Sequence, residues 1–352
     1  MDRSEIIRWL KEDDPARLQE LYMRAYAIKL KNVGNHVFFR GIIELSNICQ
    51  KDCFYCGIRK SNTRLKRFQM SKQEILELAK DALDMQYGSL VLQSGERSDP
   101  EFIDFIEDVV REIKVLSDGN NTLGITLSLG EQTKESYWRW FDAGAHRYLL
   151  RIETSNSKLY ERLHPSNHNF LQRLNCLESL REIGFQVGTG VMIGLPYQTA
   201  DDLAEDILFF EEADIDMIGM GPYIVHKDTP LADEVDKDIH QKNLDLGLKM
   251  IALTRIHLQD VNIAATTALQ ALSSSGRELG LQCGANIIMP NVTSAKYRKF
   301  YQLYDDKPCL DESASLCRDC LSERIDSIGE EIGYDQWGDS PHFLKKSAGR
   351  VG

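Results

Sequence analysis

Apolar positions along the chain follow two alternating rhythms. Over residues 1–35, Ile6, Ile7, Trp9 and Leu10, then Leu18, Leu21, Tyr22 and Ala25, recur at three- and four-residue steps, which predicts a helical lead-in covering one end. From Val37 the rhythm changes. Val37-Phe38-Phe39-Arg40-Gly41-Ile42-Ile43-Glu44-Leu45 is rich in apolar and β-branched residues, as expected of a strand buried on both faces. Ser71-Lys72-Gln73-Glu74 then has the spacing of a capping box, with Ile75, Leu76, Leu78, Ala79, Ala82 and Leu83 behind it. The unit strand, loop, helix recurs: strand-like runs lie at 89–93, 124–129, 147–152, 186–193, 216–219, 262–265 and 285–289, which with the first makes eight. Helical segments fall at about 99–116, 133–143, 168–183, 199–213, 240–257 and 269–279. Parallel strands need crossovers of this size, so the pattern predicts an α/β fold, a (β/α)8 TIM barrel. The barrel would span 37–300, with an N-terminal helical extension at 1–36 and a C-terminal extension at 301–352. A doubly wound open sheet is the competing architecture.

The residues that follow these strands favour closure, because the active face of such a barrel is built by loops at the strands' C-terminal ends. They include Gln93-Ser94-Gly95-Glu96, Ser128-Leu129-Gly130-Glu131, Arg151-Ile152-Glu153-Thr154, Gly194-Leu195-Pro196, Gly219-Met220-Gly221-Pro222 and Ala265-Thr266-Thr267. Each alone is an ordinary turn. Together, glycines that admit close backbone approach and side chains that fix polar groups recur at successive strand ends.

The loop after the first strand carries the chemistry. Cys49, Cys53 and Cys56 have the spacing CxxxCxxC, and three thiolates can hold three irons of a 4Fe-4S cube, leaving one iron open. A structural zinc is the alternative, but it needs a fourth ligand, and His36 and His146 are the nearest histidines in sequence. A second group, Cys309, Cys317 and Cys320, has spacing CxxxxxxxCxxC and permits a second iron-sulfur cluster, or a zinc site. Six of the eight cysteines thus sit in two tight groups, the pattern of metal binding in a reducing compartment; Cys176 and Cys283 stand alone as small buried hydrophobes. The net charge of −12, with 27% charged residues, gives no nucleic-acid footprint. No apolar run approaches membrane-spanning length, and the first residues lack a secretory pattern, so a soluble cytoplasmic protein is expected. Against the acidic average, Arg59, Lys60, Arg64, Lys66 and Arg67 form a basic run that could attract an acidic electron donor such as a flavodoxin or ferredoxin; a solvated loop is the plainer alternative.

The cysteine motif, with aromatic Tyr55 just before its last cysteine, resembles that of the radical S-adenosylmethionine (SAM) enzymes. The resemblance implies that SAM chelates the open iron and that its reductive cleavage yields a 5′-deoxyadenosyl radical. It also implies that Ser94, Gly95 and Glu96 meet the methionyl amino group, Glu153 the ribose hydroxyls, Arg173 the methionyl carboxylate, and the Tyr55 backbone the adenine. The alternatives for Glu153 and Arg173 are a solvated helix-start carboxylate and a surface charge. The strings Val91–Glu96, Thr126–Glu131, Arg147–Arg151, Arg173–Cys176, Asp228–Leu231 and Cys283–Asn286 resemble the HydE family of FeFe-hydrogenase maturases, which belongs with biotin synthase and methylornithine synthase. That likeness implies action on a small sulfur-bound organometallic iron-cysteine precursor of the H-cluster diiron unit, alongside other hydrogenase maturases. It places Thr266, Thr267, Tyr301 and Tyr304 on the substrate side with Arg151 as an anion contact, and likens Cys309, Cys317 and Cys320 to an auxiliary cluster site. For the two tyrosines, core packing is the alternative. A methylornithine-synthase-like amino-acid mutase and a non-catalytic iron-sulfur scaffold are the competing functions.

Overall fold

The computed structural model describes residues 1–117, 122–235, 239–310 and 314–350. Eight parallel strands form a ring. They are β1 (His36–Ser46), β2 (Ser89–Ser94), β3 (Gly124–Ser128), β4 (Arg147–Leu149), β5 (Gln186–Thr189), β6 (Met217–Ile218), β7 (Asn262–Ile263) and β8 (Ile287–Ile288). From β1 to β7 each pairs with the next, and β8 pairs with β1 through Phe38↔Ile287 and Phe39↔Ile288. The last gap closes just past β7, where Ala264 bridges Ile287 and the Ala265 amide donates to the Ile287 carbonyl at 2.9 Å. An open doubly wound sheet would leave two edges; this ring leaves none.

Helices α1 (Arg3–Leu10), α2 (Pro15–Asn32), α3 (Lys72–Asp84), α4 (Pro100–Leu116), α5 (Lys134–Asp142), α6 (Ser157–Leu163), α7 (Phe170–Ile183), α8 (Ala200–Glu212), α9 (Ile239–Leu258), α10 (Thr267–Leu272) and α11 (Gly276–Gln282) surround the ring. The capping box at Ser71 and Glu74 forms as expected. Strand β1 is buried along nearly its whole length, because the ring packs one face and the helices the other. The expected run 186–193 is interrupted: Gly190 lies so close to the Gly219 carbonyl that a side chain has no room, and strand geometry resumes at Met192–Ile193, which pairs with Gly221–Pro222. The segment 269–279 likewise breaks into α10 and α11 around Ser273-Ser274-Ser275.

The lead-in does not cover an end. α1 and α2 lie along the outside of α8 and α9. The N-terminal end of the barrel is closed instead by the C-terminal segment. Glu331–Ile332 pairs with the start of β1, the Trp337 carbonyl accepts from Arg147 (2.7 Å) and Ser89 (2.9 Å), and Gly338 accepts from Arg40 (3.0 Å) and Asn262 (2.8 Å). Asp339 completes the plug by pairing with Arg147 at 3.0 Å. Only the opposite end, where the strands finish, remains for chemistry.

Candidate functional site

At that end the cysteine loop leaves β1 through Asn47, a buried side chain whose amide bonds the carbonyls of Lys66 (2.8 Å) and Phe300 (2.7 Å) while its oxygen accepts from the Phe68 amide (2.8 Å). Asp52 is gripped by both arms of Arg59 at 2.7 and 2.9 Å. Arg67 donates to the carbonyls of Asn47, Ile58 and Arg59. Arg59 and Arg67, two of the five residues of the basic run, are therefore scaffolding for the loop. Burial pushes all three thiols above their ordinary range, Cys53 to about 12, so ionisation needs the compensation that iron supplies.

The end of β2 is threaded against this loop. A Cβ on Gly95 would collide with the Ile48 carbonyl and approach Cys49 Cβ to 2.8 Å, so only glycine lets β2 pass; the next amide, of Glu96, donates to Cys49 Sγ at 3.3 Å. Ser94 is buried and donates to the Gly95 carbonyl at 2.6 Å. Gly130, at φ +79°, presses on the Glu96 side chain from β3.

Four charged groups then meet in the barrel mouth. Arg173, from α7, donates to Glu131 at 2.7 Å and to the Arg151 carbonyl at 2.8 Å; Lys51, inside the cysteine loop, reaches Glu131 at 2.8 Å and Glu96 at 3.3 Å. Burial alone would push Glu131 up, but Arg173 and Lys51 outweigh it and hold it below its usual range. Glu96 remains above its usual range, because burial outweighs Lys51 there. Arg173 is 7% exposed, so it is no surface charge. Glu153 is also 7% exposed and no solvated carboxylate: it adopts φ +66°, and its buried Oε2 lies 3.1 Å from Arg151 Nη2 in an ion pair without an aligned hydrogen bond. A buried carboxylate oxygen whose hydrogen-bonding capacity is unused fits a ligand hydroxyl.

Two residues expected at the substrate side have unused polar atoms. Thr266 Oγ1 and Arg151 Nε are buried without partners, while Arg151 Nη2 donates to the Val191 carbonyl at 2.9 Å. Thr267 Oγ1 accepts from Arg277 at 2.8 Å. Tyr301 is fully buried, with Glu44 and the thiols of Cys56 and Cys49 among its electrostatic neighbours; Tyr304 feels Arg277, Glu44 and Arg151. The second cysteine group lies outside this mouth. Cys309, at φ +60°, accepts from Gln270 of α10 at 3.9 Å, and Cys317 (buried) and Cys320 (exposed) lie one turn apart on the helix Ala314–Ser327. Cys176 and Cys283 are buried as expected.

Neither His36 nor His146 approaches the cysteine loop; His146 lies in the plug beside Asp339. His164 and His168 do, bringing ring nitrogens and Cys53 Sγ within 4.8 Å of one another. Burial keeps both rings neutral, His164 near 3 and His168 near 4. His168 Nε2 accepts from the Asp52 amide at 3.4 Å, which puts the ring proton on Nδ1, 4.0 Å from Cys53 Sγ. A protonated nitrogen donates toward sulfur and cannot ligate, so this trio suits a hydrogen-bonded thiolate better than a zinc.

Residues 43–210 match the model of the radical SAM superfamily. The [FeFe] hydrogenase maturase subunit HydE of Thermotoga maritima is 48% identical over 91% of this chain and 88% of its own. The chain is a radical SAM enzyme of the HydE family. A 3-methylornithine synthase from Methanosarcina acetivorans is 26% identical, over 79% of this chain and 76% of its own. The crystal structure of a methylornithine synthase superposes with a TM-score of 0.79 at 21% identity, covering 95% of this chain and 94% of that one. It shares the fold.

The family implies a 4Fe-4S cluster and SAM, and the donor set fits both: three thiols on one loop, a backbone amide on Cys49 Sγ, and a buried Glu153 oxygen that accepts no hydrogen bond. Lys51, Glu131, His164, His168 and Arg277 were missed as site residues by sequence reasoning. Lys51 lies inside the motif and Glu131 in a quoted strand end, so position alone could have nominated those two.

Proposed function

We propose that this radical SAM enzyme acts on a sulfur-bound organometallic iron-cysteine precursor in building the diiron unit of the FeFe-hydrogenase active site. The observation that carries this reading is the 48% identity with HydE across 91% of the chain, against 26% with methylornithine synthase. When bound, the cluster supplies the low-potential electron for reductive cleavage of SAM.

The chain's own residues do the rest. Cys49, Cys53 and Cys56 hold the cluster on a loop that Asn47, Arg59 and Arg67 keep rigid. Arg173 and Lys51 take the methionyl carboxylate, and Glu96 with Ser94 and Gly95 takes the amino group. Glu153 turns its carboxylate to the ribose hydroxyls, and the Tyr55 backbone meets the adenine. Among the described residues the plug closes the far end of the barrel, which limits the access of water to a radical formed at the mouth. Thr266, Thr267, Tyr301 and Tyr304 line the substrate side, with Arg151 as anion contact. Cys309, Cys317 and Cys320 hold a peripheral second cluster. A flavodoxin or ferredoxin delivers electrons, and other hydrogenase maturases supply the precursor and receive the product.

The test is anaerobic turnover with dithionite and an iron-cysteine synthon, tracing where the deoxyadenosyl group ends up. Synthon-dependent turnover is expected. SAM cleavage coupled to lysine rearrangement would establish the mutase instead, and no SAM cleavage would leave a scaffold. Changing Thr266 and Thr267 to valine should impair maturation and spare SAM binding; unaffected maturation would remove both from the substrate side.

A further inference from the structure

Reductive cleavage consumes an electron from outside the chain, and the structure marks one place for its entry. The basic run after the cysteine loop is mostly spoken for: Arg59 is paired with Asp52 at 2.7 Å, Arg64 with Asp228 at 2.5 Å, and Arg67 is spent on backbone carbonyls. Lys60 and Lys66 are left. Both are exposed, and no carboxylate among the described residues comes within ion-pair reach of either. Folding adds a third cation from a segment more than two hundred residues away: exposed Lys299 lies over the Phe300 ring at 5.2 Å, and Lys66 over the same ring at 5.4 Å. Nearby Lys296 is offset by Glu74 at 2.6 Å.

We propose that Lys66 and Lys299, flanked by Lys60 and centred on Phe300, form the docking surface for a small acidic one-electron carrier protein. Two features support this occupant. Phe300 is half-buried, and its carbonyl accepts from Asn47 at 2.7 Å, two residues before Cys49. The patch therefore touches the loop that carries the cluster ligands. The chain as a whole carries −12, so an acidic carrier is repelled by most of the surface and drawn to the part where cations stand uncompensated.

The inference rests on the SAM-cleavage reading, and its test separates the two. Formation of 5′-deoxyadenosine is measured with photoreduced flavodoxin, reduced ferredoxin and dithionite, for wild type and for Lys66→Glu/Lys299→Glu. The KM for the flavodoxin or ferredoxin that reduces the wild type should rise at least tenfold in the variant at low salt. The wild-type KM should climb with ionic strength and the variant's should not. The dithionite-driven rate should be equal in both, which also shows that the variant is folded; the milder Lys66→Gln/Lys299→Gln pair should fall between. A carrier KM within twofold of wild type overturns the docking surface, as does a wild type that dithionite reduces but neither carrier does. No product with dithionite overturns the SAM-cleavage reading and the docking surface with it.

Discussion

Asp206 on α8 makes the stability of this enzyme depend on pH in an unusual direction. Its carboxylate is fully buried and accepts from the Ser155 amide (2.6 Å) and hydroxyl (2.7 Å), bracing the turn just after Glu153. Burial raises its pKa to about 7 from 3.8, against those hydrogen bonds, and its second oxygen has no partner. Between the two values the folded state holds a proton that the unfolded chain has released. Stability therefore falls as pH rises through this window, by about 1.4 kcal/mol per pH unit for a single group. Over about three units the group costs roughly 4 kcal/mol at pH 8 relative to pH 4. Asp206→Asn keeps an oxygen for Ser155 and cannot ionise, so it removes the dependence. Anaerobic urea unfolding at pH 4, 5, 6, 7 and 8 should show the variant within about 1 kcal/mol of wild type at pH 4, near the bottom of the window, where the change in Ser155's bonds dominates. By pH 8 it should be more stable by a few kcal/mol, with equal m-values. A difference that stays flat with pH, or favours wild type at pH 8, would refute the argument that a desolvated carboxyl is neutral here.

Three further outcomes follow from the site. Arg173→Met leaves Glu131 buried with Lys51 as its remaining cation, so unfolding free energy should drop by about 3–5 kcal/mol, measured by denaturant titration of the apo protein; a loss below about 1 kcal/mol would mean Lys51 compensates alone. Gly130→Ala must place a side chain at φ +79° against the Glu96 carboxylate, and SAM affinity by equilibrium dialysis should fall at least tenfold. Serine at Cys309, Cys317 and Cys320 together should lower iron content after reconstitution while leaving SAM cleavage in place; unchanged iron would remove the second cluster.

The barrel was legible because strands buried on both faces announce themselves as apolar runs, and β1 to β8 all coincide with the expected segments, β1 running one residue past its run at each end and β2 one residue past its end. Helix α6 was not: seven residues behind the Asn156 cap are too short for a periodic signal, and His164 and His168 are carried in on its far side. The plug was hidden for a different reason. Trp337 and Gly338 act through their carbonyls, which every residue has, so nothing in the segment points to Arg40, and Asp339, which pairs with Arg147, is one carboxylate among the 54 acidic residues of the chain. The same holds in the mouth: Arg173 was placed by likeness to a family motif, whereas its pairing with Glu131 depends on how α7 returns to β3 across the ring.

That pairing decides how the mouth can accept a zwitterion. Glu96, Glu131 and Glu153 face Lys51, Arg151 and Arg173, so the buried charges already balance, and a ligand with both an ammonium and a carboxylate can exchange partners without leaving an ion unpaired. Exchange requires one member to move. Arg173 is held by the Arg151 carbonyl as well as Glu131, and Arg151 by the Val191 carbonyl, whereas Lys51 has carboxylates as its hydrogen-bonding and ion-pair partners and a flexible stem. On the proposed assignment of these residues to SAM, Lys51 is the cation that would swing from Glu96 toward an incoming carboxylate, releasing Glu96 to the ammonium. Because Lys51 stands between Cys49 and Cys53, that swing would be made on the cluster loop itself and would tie amino-acid recognition to the place where the open iron would lie.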